Sequence, residues 1–144
     1  MLLFDVNALI AAHRPEHPFH TIAKAHLEAV LGTPAPTVTI PDVVWAGFIR
    51  ICTNPRVFQI PSTLEEIGAF VAAVRGAPGY CHLTPGVNAI EQLLELCVNS
   101  HAHGDLVTDA YIATIALNLD ATVVTFDRDF RRFDGLRIID PSQA

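Results

Sequence analysis

Residues 121–129 read Ala-Thr-Val-Val-Thr-Phe-Asp-Arg-Asp. The first six are rich in β-branched side chains and lack polar alternation, which predicts a strand buried on both faces. Asp127 and Asp129 follow directly at its carboxyl end. The chain opens in the same way, with the apolar run 1–4 followed by Asp5 and Asn7. Two buried strands that each deliver carboxylates predict a parallel sheet, whose ligand sites lie just beyond the carboxyl ends of its strands.

Working outward, helices fill the intervals. A loop over 14–19, with Pro and His, leads to a helix over 21–31, which Gly32, Pro34 and Pro36 terminate. A short strand over 37–40 precedes a helix entered at Pro41 and Asp42 that runs through Val44, Phe48 and Ile51. The turn sequence Thr53-Asn54-Pro55 ends it. Thr63 and Glu66 have capping-box spacing, and their helix runs to about Val74. A strand is expected over 80–83, then a helix over 87–100. Asp105 is placed to cap the next helix, LVTDAYIATIALNL, and residues 136–139 form a final strand. The alternation predicts an α/β fold with helices on both faces of a parallel sheet. Residues 1–144 show no repeat or linker and are read as one domain.

Composition narrows the function classes. Of 144 residues, 51% are hydrophobic and 17% charged, enough apolar material for a sizeable core and too much for a disordered chain. No apolar run is long enough to span a bilayer, so no membrane role is expected. The opening stretch lacks a basic leader and carries Asp5, so no signal peptide is expected either. Three widely spaced cysteines, Cys52, Cys81 and Cys97, make no Cys-x-x-Cys pair and point to a cytoplasmic setting. A net charge of −6 argues against coating nucleic acid by bulk positive charge. It leaves room for an enzyme that gathers carboxylates around a metal beside a few arginines.

Three acidic positions stand out, each with an ordinary alternative. Asp5 is also placed to end a strand or cap a helix starting near Ala8. Asp109 sits among Leu106, Val107, Ala110, Ile112, Ala113 and Ile115, where an unpaired carboxylate is costly. Its alternative is a first-turn acid favoured by the helix dipole. Asp127 and Asp129 read equally as a solvated turn paired with Arg128 or Arg131. Together, acidic oxygens from three places suit Mg²⁺, with Mn²⁺ as a substitute. Such an ion neutralises charge on a scissile phosphate and makes a water more acidic.

The order and spacing of LFDVNALI, FIRICTNPRVF, LVTDAYIATIAL and VVTFDRDFRRFDGLRIIDP resemble PIN-domain ribonucleases, and more narrowly the VapC toxins of bacterial toxin–antitoxin pairs. The resemblance covers nearly the whole chain. It implies a three-layer α/β/α sandwich around a parallel sheet, and a Mg²⁺-dependent endoribonuclease acting on structured RNA, transfer or ribosomal. It makes Asp5, Asp109 and Asp127 the metal ligands and catalytic residues, joined in catalysis by Asp129. Asn7 and Thr125 would brace them by hydrogen bonds. It also implies a VapB-like antitoxin partner and a homodimer.

One position departs from that pattern. Many members carry a Glu three residues before the Arg matched by Arg50; here the position is Gly47. Asp42 does not replace it, since five residues at ~100° each leave it ~140° around the helix. Asp105 and Asp129 are the candidates to compensate. The missing acid keeps a second reading open, a weakened PIN domain that binds RNA or a partner. A phosphohydrolase with a covalent Asp after the first strand ranks lowest, because Asp5-Val6-Asn7 lacks the expected Asp-x-Asp. His13, His17, His20, His101 and His103 have no zinc-type companions and are read as surface or capping residues. Arg128, Arg131 and Arg132 read either as a solvated face or as phosphate-positioning groups.

Overall fold

Successive residues of a strand face opposite sides of a sheet. In β1 (Leu2–Phe4) and β3 (Thr122–Val124), neighbours Leu3 and Phe4, and Val123 and Val124, are all fully buried. Both faces of the sheet are therefore covered, which makes three layers. The computed structural model describes residues 1–143. Among them the sheet has four parallel strands in the order β2-β1-β3-β4, with β2 at Val38–Thr39 and β4 at Ile138–Ile139. Six α-helices flank it: α1 (Val6–His13), α2 (His20–Leu31), α3 (Asp42–Cys52), α4 (Leu64–Arg75), α5 (Ala89–Ser100) and α6 (Leu106–Asn118). Among the described residues, no helix is long and apolar enough to cross a membrane.

Local chemistry sets the helix ends. Asp5, with extended backbone, accepts the Val6 N–H on Oδ1 at 2.7 Å and starts α1. The expected capping box opens α4: Thr63 Oγ1 accepts the Glu66 N–H at 3.1 Å and Glu66 Oε1 accepts the Thr63 N–H at 3.3 Å. α1 packs against both α2 and α3, and α5 against α6.

The structure corrects three expectations. The segment 80–83 is no strand; only Tyr80 makes a parallel bridge, to Val38. The Leu83 N–H donates to the Thr39 side chain at 3.2 Å rather than to a ladder carbonyl, so the segment shields the outer edge of β2. Asp105 precedes α6 without a side-chain capping bond. His13, expected at the surface or as a cap, closes α1 and packs inward. It is half-buried between Phe48 and Phe70, and its Nε2 meets Ser62 Oγ at 3.0 Å. Burial and the adjacent Arg14 push its pKa down.

Candidate active site

β1 and β3 run side by side in the register Leu2↔Thr122, Leu3↔Val123, Phe4↔Val124. Their next residues, Asp5 and Thr125, therefore emerge together, and the Asp5 N–H still donates to the Val124 carbonyl at 3.0 Å. From β1 the chain crosses to β2 on one side, while β3 and β4 lie on the other. That reversal of strand order is where open α/β sheets form their clefts.

A small hydrogen-bond network fixes the strand ends. Thr125 Oγ1 donates to Asp5 Oδ2 at 2.9 Å and accepts from Asn7 Nδ2 at 3.2 Å and the Asp127 N–H at 3.0 Å. Asn7 Oδ1 accepts the Phe126 N–H at 3.1 Å. The bracing bonds expected of Asn7 and Thr125 are thus present. Asp127 Oδ1 in turn accepts the Asp129 N–H at 2.9 Å and opens a 3₁₀ helix over Arg128–Arg132. Asp109 enters from the first turn of α6.

One oxygen each from Asp109, Asp127 and Asp129 can be chosen so that all three lie within 4.8 Å of one another. Asp5 stands outside this trio but lines the same cleft as Asp109 and Asp127, a space of about 440 Å³. It is 4% exposed, and both its oxygens accept hydrogen bonds while keeping spare lone pairs. The structure therefore draws Asp129 closer to Asp109 and Asp127 than a supporting role predicts, and sets Asp5 deeper. Among the described residues, no basic side chain lies within ion-pair distance of the trio.

Two carboxyls show the strain of this crowding. Burial pushes Asp5 up to about 6, opposed by its bonds from Thr125 and Val6 and aided by the charge of Asp127. Burial also raises Asp109 to about 6, with the charges of Asp5, Asp127 and Asp129 adding and Arg132 opposing. Acidic groups held together without an ion-pair partner are a fit for a divalent cation, and an all-oxygen donor set suits a hard ion.

The cleft contains more than the predicted residues. Gly47 and Arg50 of α3 line it, which supports the alignment that puts Gly47 in the place of an acid. An ideal Cβ on Gly47 meets Val6 Cγ2 at 3.0 Å. Asp105, expected as a helix cap and as a candidate to replace the missing acid, also lines the cleft. Its spacing from Asp109, four residues in near-helical backbone, was the available signal, because i and i+4 share a helix face. Arg128, Arg131 and Arg132 are exposed, and among the described residues none makes an ion pair, so Asp127 and Asp129 are not paired with Arg128 or Arg131.

With the geometry in place, comparison with known proteins assigns the family. The family model described as "PIN domain" matches residues 2–136. The chain belongs to the PIN domain family. Within it, the chain is 43% identical over 141 residues to Ribonuclease VapC31 of Mycobacterium tuberculosis, covering 98% of this chain and 99% of that protein. Ribonuclease VapC25 of the same organism is 42% identical over 141 residues, with the same coverage. This places the PIN domain among the VapC ribonucleases. In fold it resembles the crystal structure of M. tuberculosis VapC20, described as a Sarcin-Ricin loop cleaving toxin. The TM-score is 0.68 at 18% identity, covering 95% of this chain and 99% of that one.

Proposed function

We propose that this PIN domain, residues 1–144, is a Mg²⁺-dependent endoribonuclease that serves as the toxin of a toxin–antitoxin pair and cuts structured RNA, transfer or ribosomal. The observation that carries the proposal is the clustering of Asp109, Asp127 and Asp129, without an ion-pair partner among the described residues, beside a buried Asp5. In this reading Asp5, Asp109 and Asp127 hold the ion, and Asp129 completes the site. A divalent ion there would supply charge neutralisation for the scissile phosphate and a more acidic water. Thr125 and Asn7 keep Asp5 and the Asp127 backbone in register. Asp129, exposed at the rim, accepts hydrogen bonds from the water that attacks phosphorus. The ester breaks in one displacement without a covalent enzyme intermediate.

A VapB-like antitoxin partner fits the relatives' naming and the charge of −6, which attracts a basic segment. A related fold occurs in the crystal structure of VapBC2 from Rickettsia felis bound to a DNA fragment from its promoter. A homodimer is supported by Val87, Ile90, Leu94 and Val98, exposed on and just before α5. The free cysteines fit a cytoplasmic setting.

Mapping new RNA 5′ ends after expression tests the activity. Parent protein should give a discrete set of ends, and Asp5→Asn or Asp109→Asn should give none. Gly47 favours a second reading, a weakened domain that binds RNA without cutting. Stable RNA binding with no new ends from the parent would select it.

A further inference from the structure

Phe126 follows Thr125 at a bend just beyond β3, with its N–H held by Asn7 Oδ1 at 3.1 Å. There Phe19, the residue before α2, lies against it in a parallel stack, ring centres 4.7 Å apart and planes 17° apart. The ring of His17 stands at 6.5 Å and 28° from Phe126. These rings are not core: Phe19 is 38% exposed, and Phe126 and His17 are half-buried. The stack adjoins the acidic site through the peptide bond between Phe126 and Asp127. Phe126 and Asp127 also share a recess with Arg128 and Arg131, two exposed arginines without ion-pair partners among the described residues.

We propose that Phe19, backed by Phe126 and edged by His17, is a stacking platform for an unpaired base of the RNA, placed next to the phosphate at the acidic cleft, with Arg128 and Arg131 holding a flanking phosphate. The proposal rests on the ribonuclease reading. Two physical arguments select this occupant. Unpaired RNA bases are commonly held on aromatic faces, and such stacking accepts any base because each has a π-face. A chain of net charge −6 repels a polyanion at long range, so its affinity needs a contribution that is not ionic. A flat ring face flanked by arginines and a carboxylate suits a nucleotide better than an apolar peptide side chain, which favours a deep pocket.

Binding tests the platform without relying on cleavage. Asp109→Asn protein, which should not cut, is titrated with fluorescein-labelled hexaadenylate and with an abasic hexamer of the same charge. Phe19→Leu should weaken hexaadenylate binding about 5- to 100-fold, the range expected for losing one stacked base, while abasic binding stays the same. Phe19→Trp should recover most of the affinity, and its added emission should fall on hexaadenylate binding. Equal losses for both hexamers, or unchanged emission from the Phe19→Trp protein at saturating hexaadenylate, would overturn the platform. So would a Phe19→Leu change that weakens only binding to a co-expressed partner protein. Quenching of the Phe19→Trp protein by hexaadenylate, together with a parent that cuts nothing, would uphold the platform and remove the nuclease reading. Cutting that depends on Asp109 with no effect of Phe19→Leu on RNA binding would do the reverse.

Discussion

Asp109 shows how far one residue can be read. Its apolar neighbours on α6 marked it from sequence, because a carboxylate there needs a reason. The structure supplies it: burial and three nearby acids lift its pKa to about 6. The sign of the resulting linkage is definite. An acid whose folded pKa is raised holds its proton more tightly in the fold, so it adds stability below its ordinary value of 3.8. That stability is lost as pH rises toward about 6. His13, His26 and Glu16 have lowered pKa values and act in the opposite sense, so the difference between parent and Asp109→Asn isolates the effect. In chelator, Asp109→Asn should match the parent near pH 4 and melt higher at pH 7. Added Mg²⁺ should raise the parent's melting temperature more than the variant's. A parent–variant gap that does not change between pH 4 and pH 7 would remove the crowding argument. Asp105, by contrast, was legible only as one of two candidates, with Asp129, to replace the acid missing at Gly47. A Gly-Asp before a helix is an ordinary cap sequence, and only the fold shows that its side chain makes no capping bond.

At the scale of elements, helices were more legible than strands. α4 announced itself through Thr63 and Glu66, and α3 ends just before Thr53, as the Asn54-Pro55 turn requires. The strands are only two or three residues long, and their pairing depends on partners distant in sequence, so their bounds were overextended and the edge segment at Tyr80 was misjudged. α3 carries the element-scale prediction. Gly47 faces the cleft, and replacing an interior helix glycine gains about 0.5–1 kcal/mol when space allows. Here a Cβ lies 3.0 Å from Val6 Cγ2, and Val6 is β-branched and stiff in the first turn of α1. The contact should cancel the gain, leaving Gly47→Ala close to neutral in the parent and stabilising against a Val6→Ala background. Gly47→Glu on that background should bind Mg²⁺ more tightly, and in chelator should be less stable than Gly47→Ala, because a further carboxylate joins the cluster. Denaturant melts with and without Mg²⁺ measure both. Identical Mg²⁺ affinity for the Glu and Ala variants would mean that side chains at 47 do not reach the acids.

The whole molecule hides an apolar core effectively and still leaves one helix face uncovered. Val87 is 99% exposed, Ile90 58%, Leu94 63% and Val98 73%. Spacings of four residues align Ile90, Leu94 and Val98 along one side of α5, about 12 Å from end to end at ~1.5 Å per residue, with Val87 in the turn just before the helix. The inward face of α5 is already spent on α6. A row of large apolar groups on a protein with 51% hydrophobic residues matches the homodimer of the proposed function, and two copies crossing at this helix would be self-complementary about a two-fold axis. Glu91 and Glu95 are exposed on the same helix and would sit at the rim, where charge is tolerated. The parent should therefore sediment as a dimer at micromolar concentration, with a melting temperature that rises with concentration because association stabilises the folded chain. Leu94→Glu puts a charge in the middle of the row and should give a folded monomer whose melting temperature no longer depends on concentration. The acidic cleft is lined by α1, α3, α6 and the residues that follow β1 and β3, and by none from α5, so Mg²⁺ binding by that monomer should match the parent. A parent that sediments as a monomer, or a Leu94→Glu chain that remains a dimer, would show that this face serves something other than a second copy.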